Sequence, residues 1–171
     1  MQKYIVTAFI PDSEEEKEEY LSWSLVNIQR DEKNKIFKRD RQKFTLNFYK
    51  ENEKMMIKFF EKFFILNDCC AEVYLEPVNT GTKQIFLYNE RKKFWNYMKK
   101  LSFEQLFLRE KIMINNKKDF DFFIKLGYRS DEKQCVKIIF ENLDIKSEST
   151  GEYSYILFVD ESSELKTVFE I

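Results

Sequence analysis

The chain of 171 residues contains no histidine, and that absence removes more chemistry than any other feature of the sequence. Ser-His-Asp and Cys-His catalysis, histidine metal sites and imidazole acid–base chemistry all need the missing ring. Cysteine is almost as scarce. Cys69 and Cys70 are adjacent and only Cys135 accompanies them, which is too few and too poorly spaced for a closed zinc site or a disulfide framework. All three are read as reduced thiols, with Cys69 and Cys70 as small residues ending a helix rather than a redox-sensing pair.

Glycine occurs three times and proline twice. Gly81, Gly127 and Gly151 are too far apart to build a phosphate-cradling loop, so both the dinucleotide fingerprint and the P-loop are missing. No apolar run approaches the ~20 residues that cross a bilayer. Tyr4 to Ile10 is apolar, but Pro11 and six acids between Asp12 and Glu19 follow it where a leader would be cleaved. The expectation is a cytoplasmic protein that makes no membrane contact.

What the chain has in abundance is aromatic and charged residues. Its 18 Phe, 9 Tyr and 2 Trp can fill a sizeable core, and 171 residues suit one domain spanning 1–171. Heavy use of Lys, Asn, Ile, Phe and Tyr has the character of an AT-rich genome, so many of these residues need no selective reason. Net charge is only −1, yet it is segregated. Residues 1–29 carry six acids against two bases, 30–118 carry 21 bases against 12 acids, and 119–171 carry 12 acids against six bases. Poles of opposite sign would steer a charged partner.

Periodicity gives the coarse structure. Lys3 to Ile10 alternates as a strand. Ser13 and Glu16 form a capping box for a helix bearing Leu21, Leu25 and Ile28. Phe44 to Tyr49 alternates and reads as a second strand, followed by a central helix from about Glu51 to Asn67 with Met55, Met56, Phe59, Phe60, Phe63 and Phe64 on one face. Val73 to Glu76 and Gln84 to Tyr88 read as a hairpin, Asn89 and Ser102 as caps of two further helices. Lys111 to Ile114 either extends a helix or forms a short strand. Asn116 caps a last helix that Gly127 ends in a left-handed conformation. Gln134 to Phe140, Tyr153 to Val159 and Leu165 to Phe169 read as an antiparallel meander. The expected fold is α+β, a mixed or mostly antiparallel sheet with four to five helices packed on it.

Three functions compete. The first is a protein-binding module without catalysis, an inhibitor or immunity-type protein of a bacterium or mobile element that masks a partner with a basic surface. It would use an acidic patch of Glu14, Glu15, Glu18, Glu19, Asp160, Glu161 and Glu164, residues that otherwise read as a dipole-satisfied first turn and a solubilising tail. The second is nucleic-acid binding by the basic middle, residues 30–118, through Lys38, Arg39, Arg41 and Lys43 in a loop and Arg91, Lys92, Lys93, Lys99 and Lys100 on a helix, with Tyr88 and Tyr97 as stacking surfaces. Against it stand a pI of 5.8 and the ordinary role of such lysines on a solvated helix face. The third is a magnesium-dependent nuclease built on Glu141, Asp144 and Lys146, residue types that recur by chance in a chain with 35% charged residues. No catalytic residue, cofactor or metal ligand is assigned on the preferred reading.

Overall fold

The computed structural model describes residues 1–22, 45–75, 111–130 and 136–160. Among them, six strands form one sheet whose neighbouring pairs are all antiparallel. The strands are β1 (Gln2–Thr7), β2 (Ala71–Leu75), β3 (Ile112–Ile114), β4 (Val136–Phe140), β5 (Ile145–Ser149) and β6 (Ser154–Val159), in the order β1-β6-β5-β4-β2-β3. Three helices accompany them: α1 (Glu14–Ser22), α2 (Leu46–Leu66) and α3 (Lys117–Arg129). The α+β architecture and the antiparallel sheet therefore match expectation. The described helices number three rather than four to five, and the helices expected after Asn89 and Ser102 lie outside the described residues, as do the 84–88 strand, Cys135 and the 165–169 strand.

The described elements share one core on one side of the sheet. Val136, Ile138 and Phe140 of β4 and Tyr155, Leu157 and Val159 of β6 are wholly buried, alternating with half-buried residues as a one-sided sheet requires. They meet α2 and α3, where Phe60 packs edge-on to Tyr155, Phe63 lies against Phe140 and Phe120 stacks on Phe64. Burying each such side chain stabilises the fold by roughly 1.5–3 kcal/mol, so this layer is its main support.

Four expectations are corrected. Of the strand expected over 44–49, the described residues 45–49 form none: Thr45 caps α2, its Oγ1 accepting from the Phe48 N–H at 3.2 Å, and the helix runs on from Leu46. Alternation over six residues fits either period, and the burial of Tyr49, Asn52, Glu53 and Met56 shows the helical one. Gly127 does not end α3, which continues to Arg129; its missing Cβ instead leaves room for Tyr155, whose hydroxyl oxygen would lie 2.1 Å from such an atom. Ile145 to Ser149, outside the three runs expected in the meander, is β5, the middle strand of β4-β5-β6. Cys69 and Cys70 are free thiols, but they sit in the turn after α2, where Asp68 and Cys69 adopt positive φ of 58° and 54°.

That turn is held by side chains. The Asn67 amide donates to the Cys70 carbonyl at 2.7 Å, and Asn67 Oδ1 accepts from the Asn142 N–H at 2.8 Å. Asn142 also donates to the Asp68 carboxylate at 3.0 Å, which ties the end of α2 to the short 3-10 turn Glu141–Leu143 between β4 and β5.

Candidate functional site: a basic cleft between two helices

Charged residues recur every fourth position on α2 and α3, and such residues form rows along a helix. On α2 one row is Lys50, Lys54 and Lys58 and the next is Glu53, Ile57 and Glu61; on α3 the row is Lys117, Asp121, Lys125 and Arg129. The helices pack antiparallel, since Glu61 late in α2 meets Lys117 early in α3 at 3.1 Å, while Glu53 early in α2 meets Arg129 late in α3. All three rows thereby line one cleft of about 510 Å³.

Among the described residues, six cations and three carboxylates line it, with Ile57 the only apolar contributor. From Lys117 to Arg129 the cleft follows about 18 Å of helix at ~1.5 Å per residue. Both ends hold internal ion pairs, the Lys117 end with one acid in excess. At one end Lys117 is shared between Glu61 and Asp121, the latter at 3.0 Å, and these carboxylates raise its pKa against the opposing effect of burial. At the other end the Arg129 guanidinium forks onto Glu53, Nη2 donating to Oε1 at 2.7 Å and Nε to Oε2, with side-chain exposures of 1% and 5%. Removing one partner of such a buried pair costs about 3–5 kcal/mol, so Arg129 and Glu53 are the fixed floor of the cleft. Lys54 leans out to Glu51 at 2.6 Å, an exposed pair of little energetic weight. Among the described residues Lys50 and Lys58 have no hydrogen bond or ion pair, and Lys58 is exposed.

Behind the floor lies a group of tyrosines. The Tyr20 and Tyr128 hydroxyls are 2.9 Å apart, and Tyr153, held at φ 55°, packs against Tyr20, Tyr49 and Tyr128. Burial, opposed by the Tyr128 hydrogen bond, pushes the Tyr20 phenol up to about 12; burial also holds Tyr49 and Tyr128 well above the ordinary phenol range. These rings are neutral structural groups, and the Tyr49 hydroxyl has no hydrogen-bond partner among the described residues.

The residues singled out from sequence fall differently. Glu14, Glu15 and Glu18 are exposed on α1 and Glu19 is half-buried; Asp160 directly follows β6, beside the start of β1. Tyr20 at the other end of β6 packs on Tyr153, so α1 and Asp160 attach to opposite ends of that strand. Glu161 and Glu164 lie outside the described residues, as do Lys38, Arg39, Arg41, Lys43, Arg91, Lys92, Lys93, Lys99 and Lys100 with Tyr88 and Tyr97. Of the nuclease residues, Glu141 is in the 3-10 turn, Asp144 follows it in a left-handed conformation and Lys146 is on β5. Among the described residues no group of three acidic or cysteine side chains is arranged to hold a metal ion. Glu141 does approach Glu72, whose pKa is lowered chiefly by its 2.6 Å bond from Lys111. No described helix is long and apolar enough to cross a membrane.

The cleft was legible in part. The spacing of Lys50, Lys54 and Lys58 is visible in the sequence, but a lysine row on an amphipathic helix ordinarily marks its solvated face. No known protein family, curated protein or solved structure matches the chain.

Proposed function

We propose that this protein binds nucleic acid, with the α2–α3 cleft as the seat of the phosphate backbone. The observation that carries the reading is the convergence of Lys50, Lys54 and Lys58 on one wall opposite Lys125, above a floor already neutralised by the Glu53–Arg129 pair. The three lysines of α2 recur at about 6 Å intervals, and a cleft about 18 Å long spans a length of duplex axis that carries roughly five phosphates of each strand at ~3.4 Å of rise. A wall this charged does not suit the mostly apolar pockets that enclose small molecules. The acidic pI does not oppose the reading, because the acids of α1 are carried on a different helix from the lysines of the cleft.

A salt titration with a fluorescent duplex and a fluorescent single strand tests it. Affinity is expected to fall steeply from about 50 to 200 mM salt, and Lys58→Ala to flatten the log–log slope by about 1. Lys50→Glu/Lys54→Glu/Lys58→Glu is expected to abolish binding, while Glu14→Lys/Glu15→Lys/Glu18→Lys retains it. Binding that is absent at low salt, or unaffected by the triple lysine reversal, would overturn the reading.

A second reading, a module that masks a basic protein, is favoured by α1. There Glu16 alone is drawn into the helix cap, bonded to the Asp12 N–H, while Glu14, Glu15 and Glu18 stay exposed. On that reading the α1 reversal abolishes capture of the basic partner and the lysine reversal does not.

A further inference from the structure

The sheet has a second face, turned away from α2 and α3, and its register aligns a distinctive row there. Lys3 of β1 is the cross-strand partner of Phe158 of β6, and Phe158 is in turn the partner of Lys146 on β5. Residues opposite one another in antiparallel strands share a face, so the three stand side by side at about 4.8 Å intervals. Leu157 and Val159 on either side of Phe158 are wholly buried against the helices, which sends Phe158 to the other face, where it is half-buried. Lys3 and Lys146 are exposed and make no ion pair or hydrogen bond among the described residues.

The same face carries a second aromatic with a lysine beside it. Tyr74 of β2 is half-buried and is the cross-strand partner of Lys137 on β4. Glu148 pairs with Lys137 at 3.6 Å and Glu72 with Lys111 at 2.6 Å, while Glu141 reaches Glu72 at the Tyr74 end, so the excess positive charge lies at the Phe158 end with Lys3 and Lys146. From Phe158 to Tyr74 the face crosses three strand spacings and shifts two residues along the strands, about 16 Å in all.

We infer that this face is a second binding site, at which unpaired bases of a single-stranded nucleic acid stack on Phe158, and toward Tyr74, while Lys3 and Lys146 meet the flanking phosphates. An aromatic ring offers any base a π-face, and lysines beside it follow the backbone. A duplex cannot use the site, because its bases already stack on one another. The site therefore selects single strands, whereas the cleft requires only phosphates. It extends the nucleic-acid reading but rests on a surface separate from the cleft.

The test measures fluorescence anisotropy with a labelled 12-nucleotide oligo-dT and a labelled 12-base-pair duplex. Phe158→Leu, which keeps apolar bulk but removes the ring, is expected to weaken oligo-dT binding by roughly 5- to 150-fold and leave duplex binding unchanged. Phe158→Tyr retains both. Lys3→Glu/Lys146→Glu, at two exposed positions that cannot compromise folding through the core, is expected to weaken oligo-dT binding to a similar extent. The inference is overturned if the Lys3/Lys146 variant, or a Phe158→Leu protein with a normal melting transition, binds oligo-dT as the unaltered protein does. If only the Lys50/Lys54/Lys58 reversal removes oligo-dT binding, the sheet face falls and the cleft stands; if neither probe binds the unaltered protein, both fall.

Discussion

Replacing Gly127 with alanine sets two well-known effects against each other. In a helix interior Gly→Ala ordinarily stabilises by about 1 kcal/mol. Here the new Cβ would lie 2.1 Å from Tyr155 Oη, 2.8 Å from Cζ and 3.1 Å from Ser149 Cβ. Apolar contact needs about 3.5–4.0 Å, so the ring must move by an ångström or more. Tyr155 is fully buried, its ring is 4.7 Å from that of Phe60, and its hydroxyl donates to the Ile124 carbonyl at 2.8 Å. Overpacking of this kind costs about 1–3 kcal/mol. Loss of the buried hydroxyl's partner adds about 1–3 kcal/mol, and after the helical gain the net loss centres on roughly 3 kcal/mol. With a urea dependence of about 2 kcal/mol/M, the unfolding midpoint falls by about 1.5 M. Gly127→Asn separates this account from a left-handed helix end: asparagine is accepted at such a position, but its larger side chain is expected to be worse than alanine here. Combining Gly127→Ala with Tyr155→Phe, which removes the nearest atom, is expected to destabilise less than the sum of the two changes. An alanine variant as stable as the parent, or more so, would refute the close approach of α3 to β6.

Other expectations follow from the same contacts. Glu53→Gln leaves a buried guanidinium without its carboxylate and is expected to cost about 3–5 kcal/mol in urea unfolding, whereas Glu53→Leu/Arg129→Met recovers most of the loss; a double variant no better than the single would show that the pair is not the linked unit. Thr45→Ala is expected to cost about 1 kcal/mol through loss of the α2 cap, and no measurable cost would argue against the helix start at Leu46. Alkaline titration followed at 295 nm checks the tyrosine group. A phenol raised by burial to about 12, as at Tyr20, stabilises the fold fully below the ordinary value near 10, and that contribution is lost as pH rises toward 12. Tyr20, Tyr49 and Tyr128 are therefore expected to ionise only as near-ultraviolet circular dichroism collapses; all 9 tyrosines ionising near pH 10 in folded protein would contradict their burial.

Much local chemistry was legible, though not the Thr45 cap, which the alternation around it hid. The Ser13 cap appears with the Glu16 N–H donating to Ser13 Oγ at 3.1 Å, though Glu16 bonds the Asp12 N–H rather than that of Ser13. Asn116 caps α3, accepting from the Asp119 N–H at 2.9 Å. β1, β4 and β6 follow their alternation. β5 was hidden because Ile145 is its one apolar residue. Ser147 and Ser149 are nevertheless buried, Ser149 beside Gly127 where α3 approaches and accepting from the Val136 N–H at 3.1 Å. Small polar residues are buried there because neighbouring elements occupy the space and satisfy the hydroxyls, a circumstance no window of five residues contains.

The order of residues alone determined the Ser13 and Asn116 caps, the strands β1, β4 and β6, the aromatic stock of the core and the exclusion of imidazole and phosphate-loop chemistry, because each depends on residue type or on neighbours a turn or less away. Tertiary structure alone decided that Glu53 meets Arg129 across 76 positions, that the lysine row of α2 faces the charged row of α3, and that Lys3 and Lys146 flank Phe158. Those contacts depend on helix direction and strand order, which long-range burial of the apolar faces selects.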